Sequence, residues 1–207
     1  MHNKNKDIEY RKEGALYIVG IDEAGRGPLA GPVVACAIIL PPKYENDLID
    51  DSKVLSVKKR EELAKELKNV ALDFQISVIS PTEIDAINIY QASKKAMEIA
   101  LSNIKIKYDL VLTDAMPLNC DKKVIPLVKG DANSLSIAAA SIIAKVHRDE
   151  IMNELDKKYP QYGFKQNKGY PTKKHLDALR TYGPIKGVHR FSYKPVSNAH
   201  YEQLKLF

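Results

Sequence analysis

The sequence predicts an α/β protein, a five-stranded mixed sheet flanked by helices with a helical C-terminal extension. Three observations carry that expectation. Two apolar runs rich in β-branched residues, 16–21 and 33–40, stand either side of Gly25-Arg26-Gly27-Pro28 and read as an antiparallel pair. Strand and helix patterns then alternate along the chain. Residues 134–157 form the longest helical pattern, and its first half is almost entirely small or apolar, as in a helix buried on most faces.

Each element has a local reason. Residues 1–14 are polar and mixed in charge, and are expected to fray. Pro41-Pro42 ends the second strand. Residues 57–70 place apolar side chains at 57, 63, 67 and 70 with charges between, an amphipathic helix capped by Ser56. Residues 74–79 alternate as a strand does. Ser80-Pro81-Thr82-Glu83 opens a helical stretch, with room for a break, that reaches to near residue 104; Pro81 sits where its missing N–H costs nothing. Residues 109–113 and 124–128 are short strands. Pro160 stops the long helix, and Thr172 caps one ending at Tyr182. The expected organisation is a polar segment 1–14, a body 15–158, a basic helical region 159–200 and a tail 201–207.

Composition excludes several classes. With 44% hydrophobic and 28% charged residues among 207, the chain is neither disordered, collagenous nor a coiled coil. Its longest apolar run, 33–40, is too short for a membrane span, and the N-terminus lacks a signal-peptide core. Cys36 and Cys120 read as reduced core residues of a cytoplasmic protein. The net charge of +6 is unevenly spread. Residues 156–207 carry eleven Lys/Arg against three Asp/Glu, whereas 1–155 carry 21 bases and 23 acids. A basic C-terminal quarter fits a polyanion partner or a lysine-rich surface equally well.

The chemistry begins with acids out of place. The first strand runs into Asp22-Glu23, the fourth into Asp114, and Asp131 follows the fifth. Carboxylates at the edge of a core are costly unless neutralised, and strand carboxyl ends are where α/β sheets hold ligands. Converging there, they would need a cation, for which Mg²⁺ or Mn²⁺ is the natural partner. Taken alone, Asp131 reads more readily as a helix cap, with Ser134 close behind it, and Asp114 could end its strand at a turn. Asp22 and Glu23 would point to opposite faces of a regular strand, so acting together requires a local bend. Gly25 and Gly27 around Arg26 offer close backbone approach and a guanidinium fork to a phosphate.

The run from Gly20 to Ala35, GIDEAGRGPLAGPVVA, resembles the signature of bacterial ribonuclease HII. So do Asp51-Ser52-Lys53, Thr113-Asp114-Ala115, Lys129-Gly130-Asp131, the helix 136–149, Lys168-Gly169-Tyr170 with His175, and Gly183-Pro184 with His189-Arg190. The likeness runs in order over about residues 16–195, and the Gly-Arg-Gly form separates it from the sister ribonuclease HIII. One departure is Tyr193, where the family more often has Phe.

The resemblance implies a ribonuclease H-like fold and a metal-dependent endonuclease. Its substrates would be the RNA strand of RNA/DNA hybrids and single ribonucleotides embedded in duplex DNA, incised on the 5′ side to leave 3′-hydroxyl and 5′-phosphate ends. Asp22, Glu23, Asp114 and Asp131 would be catalytic and would hold two Mg²⁺ or Mn²⁺ ions. Gly25, Arg26, Gly27 and Tyr170 would sense the 2′-hydroxyl, the group that separates RNA from DNA. Lys53 and Lys168 are weaker phosphate contacts, His147, His175 and His189 are left as structural or substrate-side, and Lys145, one turn beyond Ser141, is expected to face the acids. A monomer is implied. The terminal Gln203, Leu204, Leu206 and Phe207 resemble the peptide by which bacterial replication proteins dock on the sliding clamp. A non-catalytic hybrid-binding module would have no use for four acids facing a phosphate backbone.

Overall fold

The computed structural model describes residues 6–49 and 56–204, with the backbone alone at Asp47 and 202–204. Five strands, β1 (Ile18–Ala24), β2 (Val33–Ile39), β3 (Asp73–Ile79), β4 (Leu110–Asp114) and β5 (Lys123–Leu127), form one sheet in the order β3-β2-β1-β4-β5. β1 lies at its centre, antiparallel to β2 and parallel to β4, and β4 is parallel to β5. Every residue of β2 is buried, as is β1 through Asp22. Strands covered on both faces are apolar throughout rather than alternating, which is why these two runs read so clearly.

The helices follow their caps. In α2 (Val57–Val70) the Ser56 side chain accepts from Lys59 N, and in α3 (Pro81–Ile87) Ser80 accepts from Glu83 N. The expected break falls at Asn88, whose φ of 67° and ψ of 165° take the backbone out of the helical region. The Asn88 side chain then accepts from Gln91 N at 3.1 Å and restarts the helix as α4 (Ile89–Ser102). The long helix is α6 (Leu135–Lys158), preceded by the short α5 (Gly130–Asn133). Beyond it lie α7 (Phe164–Asn167), α8 (Lys173–Tyr182), capped by Thr172, and α9 (Lys194–Leu204).

The N-terminal segment corrects the expectation of a frayed start. Residues Lys6–Lys12 form a helix, α1, and Asp7 is 1% exposed. Its carboxylate accepts from Leu135 N at 2.8 Å and Ser136 N at 3.2 Å, and from the Ser136 hydroxyl. A side chain 128 residues away thus satisfies N–H groups that the first turn of α6 cannot pair internally. Cys120 also departs from the expectation, since it is half-buried in a loop; Cys36 is buried, and both are free thiols.

The chain groups into two compact units, one of residues 1–24, 34–77 and 94–146, the other of 25–33, 78–93 and 147–207. The first holds most of the sheet, where Ile18, Leu110 and Leu112 cluster with Ile137. The second has its own core around Met152, Tyr162, Phe164, Leu179 and Val196. Among the described residues no helix is long and apolar enough to cross a membrane.

Candidate active site

The parallel pairing of β1 with β4 ends at Ile21 and Thr113, so Asp22 and Asp114 leave that ladder at the same level. On the other side β2 continues to pair with β1 as far as Ala24, matching Asp22 with Cys36 and Glu23 with Ala35. The bend expected at Asp22-Glu23 is therefore absent, because β2 holds both residues in regular strand. Asp131 is not a helix cap. It lies in the first turn of α5, whose N-cap is Lys129 in a left-handed conformation, while Ser134 Oγ accepts from Ile137 N in α6. Asp114 Oδ1 accepts from Gly130 N at 2.7 Å, which ties the end of β4 to the start of α5 next to Asp131.

Asp22 records the crowding. Burial pushes its carboxyl well above the usual carboxylate range, and the charges of Glu23, Asp114 and Asp131 push the same way, against a 2.7 Å bond from the Glu23 N–H. All four predicted acids therefore act in one electrostatic neighbourhood. Among the described residues no three such side chains are closed into a ligand cage. Carboxylates at this range repel and stay apart unless a cation joins them. An all-oxygen donor set of this kind fits Mg²⁺ or Mn²⁺. A cavity of about 320 Å³ beside the acids is lined by Glu23, Ala24, Arg60, Asp131, Ser141, Ile142 and Lys145. Lys145 thus lies where the sequence suggested. Arg60 was missed, because on an amphipathic helix it follows two lysines and looks like one more solvated charge.

The Gly-Arg-Gly turn belongs to the second unit. Gly25 has φ 108°, and a Cβ there would come within 2.3 Å of Arg148 Nε, so only glycine fits. Arg26 and Gly27 are exposed. The Tyr170 ring, 46% exposed, lies against Gly27, where a Cβ would be 3.4 Å from its Cε1. Lys168 Nζ donates to Asn153 Oδ1 at 2.5 Å, so its ammonium is held rather than free to roam. Lys53, Leu206 and Phe207 lie outside the described residues, and Gln203 and Leu204 are described by backbone alone at the end of α9.

Two buried histidines support Tyr170 from beneath. Ile185 N donates to His189 Nδ1 at 2.9 Å, so the His189 proton is on Nε2, which faces His175 Nε2 at 3.1 Å. His175 must accept there, and its Nδ1–H donates to the Tyr170 carbonyl at 2.9 Å. Burial keeps this pair neutral, lowering His175 and driving His189 down to about 3. His147, by contrast, lies 3.4 Å from Glu150 on the helix surface.

The sequence profile of the family described as Ribonuclease HII matches residues 19–196. The chain belongs to the ribonuclease HII family. Ribonuclease HII of Listeria innocua is 49% identical over 204 residues, 98% of this chain and 78% of that protein. Among solved structures, ribonuclease H2 from Pyrococcus horikoshii superposes with a TM-score of 0.79 at 27% identity, covering 91% of this chain and 99% of that one. The ribonuclease HII in a PCNA complex from Archaeoglobus fulgidus gives 0.73 at 27%, covering 92% and 100%. These neighbours bear out the ribonuclease H-like fold with its five-stranded mixed sheet. As a ribonuclease HII the chain is a hydrolase, an endoribonuclease of type 2 that acts on RNA/DNA hybrids.

Proposed function

We propose that this ribonuclease HII is a divalent-metal-dependent endonuclease that cuts the RNA strand of hybrids and also incises 5′ of a single ribonucleotide in duplex DNA. The observation that carries this reading is the buried Asp22 carboxyl with three further acids acting on it. Asp22, Glu23, Asp114 and Asp131 would hold Mg²⁺ or Mn²⁺, which when bound lowers the pKa of water and offsets charge on the scissile phosphate. Asp114 keeps one oxygen on Gly130 N, so its carboxylate is oriented before any ligand arrives. Arg60 and Lys145 bring positive charge to the wall of the same cavity, where a phosphodiester would otherwise meet only acids.

Ribose sensing is assigned to Gly25, Arg26, Gly27 and Tyr170. The exposed tyrosine ring beside a residue with no side chain leaves a sugar-sized approach to the backbone. A labelled DNA duplex with one ribonucleotide, incubated with Mg²⁺, Mn²⁺ or EDTA, tests the whole reading. Metal-dependent nicking on the 5′ side, leaving a 3′-hydroxyl and lost in Asp114→Asn, is the expected result. Binding without cleavage under any metal would reduce the protein to a hybrid-binding module, and cleavage of an all-DNA duplex would remove the ribose assignment.

The tail is proposed as a sliding-clamp peptide through Gln203, Leu204, Leu206 and Phe207. The Archaeoglobus relative solved with PCNA, a sliding clamp, supports a partner of this class. Deleting 203–207 is expected to abolish retention on immobilised bacterial clamp while leaving nicking of a short duplex unchanged. Equal retention of both forms refutes the assignment.

A further inference from the structure

Arg148 and Arg190 are 1% and 0% exposed, and among the described residues neither is in an ion pair. A buried guanidinium without a carboxylate is expensive unless its donors are all met. Here every nitrogen of both side chains donates, in Arg148 to backbone carbonyls and in Arg190 to backbone carbonyls and the Tyr193 hydroxyl. Arg148 donates to Pro32 O at 2.9 Å and to Ala30 O and Lys168 O at 3.0 Å. Arg190 donates to Gly25 O at 2.6 Å, Arg26 O at 2.9 Å, and Gly31 O at 2.9 and 3.1 Å. Burial, then the neighbouring Arg190, bring Arg148 down to about 10, still charged at neutral pH. Five of the eight carbonyls from Gly25 to Pro32 are thus drawn onto two cations.

This fixes the direction of the peptide groups. A trans peptide points its C=O and the following N–H to opposite sides. With the Gly25 and Arg26 carbonyls on Arg190, the N–H groups of Arg26 and Gly27 must face away from it, on the exposed side of the turn. Tyr193 locks the arrangement. Its hydroxyl accepts from Arg190 Nη1 at 3.0 Å and donates to the Arg26 carbonyl at 2.8 Å, while Arg190 lies 5.3 Å over its ring.

We propose that Arg190, bridged by the Tyr193 hydroxyl and seconded by Arg148, is the positioning device that presents the Arg26 and Gly27 N–H groups to a ribose hydroxyl and its adjoining phosphate. Neither arginine touches the substrate. They act through the turn, and the positive charge beneath it favours the polyanion that approaches from outside. This inference rests on the ribose-sensing role proposed above for the same turn.

The test removes one oxygen atom. In Tyr193→Phe the ring remains and the chain should fold, with a melting temperature close to wild type. KM for a duplex carrying one ribonucleotide is expected to rise about three- to tenfold at unchanged kcat, the effect of one lost hydrogen bond. Loss of folded protein alone would lower apparent kcat and leave KM untouched. Amide hydrogen exchange in the peptide spanning 24–29 should quicken in the same variant. Arg190→Lys, which keeps the charge but not the fork, should match or exceed the KM effect. An unchanged KM and unchanged exchange in Tyr193→Phe, with Tyr170→Ala raising KM in the same assay, overturns the positioning role alone. If Tyr170→Ala also leaves KM unchanged, the ribose-sensing role falls and takes this inference with it.

Discussion

Asp22→Asn is expected to abolish cleavage and, in metal-free protein, to raise stability. The two effects have one cause. The Asp22 carboxyl is buried in the company of Glu23, Asp114 and Asp131, and its affinity for a proton is raised by burial first and by those charges next. Asn keeps the Oδ1 that accepts from Glu23 N and removes the charge. The folded protein holds the Asp22 proton more tightly than the unfolded chain does. Its contribution to stability is therefore greatest at low pH and is lost as pH rises through the raised folded value. At neutral pH in EDTA the Asn variant should gain about 1–2 kcal/mol, or about 2–8 °C in melting temperature for a chain of this size. The gain should shrink as pH falls toward 4, where wild type is protonated at this position. Added Mg²⁺ should raise the melting temperature of wild type and do little for the variant, since only a bound ligand shifts that equilibrium. Cleavage should fall about a thousandfold or more, because the scissile phosphate then lacks its counter-charge. Thermal melts with and without EDTA at pH 4.5 and 7.5 decide the matter. A variant less stable than wild type at both pH values would mean that Asp22 is a structural residue and not a charge held in reserve for a cation.

Gly20→Ala should be the most damaging single methyl in the sheet. A Cβ on Gly20 would stand 2.2 Å from the Ser136 carbonyl carbon and 2.4 Å from its oxygen and Cβ. The obstacle is the first turn of α6 itself, held by its own ladder and by the Asp7 carboxylate on Leu135 and Ser136. No flexible side chain is there to yield, so β1 or the helix must move. The expected loss is about 3 kcal/mol or more, a fall of about 6–12 °C in melting temperature. Because Asp22 lies two residues along the same strand, residual activity measured well below the melting point should fall too. A melt within two degrees of wild type would show that α6 can back away at little cost.

How much of this was legible in the sequence depends on how far each contact reaches along the chain. Strands, helices and their caps were read almost to the residue at Ser56, Ser80 and Thr172, because a cap is decided by neighbours three residues apart. The acids were visible as charges at the ends of apolar strands, an arrangement that makes no sense without a ligand. The family was visible in motifs that recur in order. Other features were decided elsewhere in the chain. Asp7 looked like part of a fraying tail, and its role depends on a helix that starts more than a hundred residues later. The bend expected at Asp22-Glu23 never forms, because β2 supplies backbone partners to the end of β1. His175 and His189 had no pattern to mark them as a neutral pair, since each proton position is dictated by a backbone group on a different turn. Arg148 and Arg190 were visible only as members of recurring motifs with no role attached, and Tyr193 only as a departure from one. Local hydrogen bonds and apolar periodicity are written in adjacent residues, so the sequence alone determined the elements, the family and the acids. Which polar groups end up buried, and what meets them there, depends on segments remote in sequence and adjacent in space, and only the tertiary structure decided that.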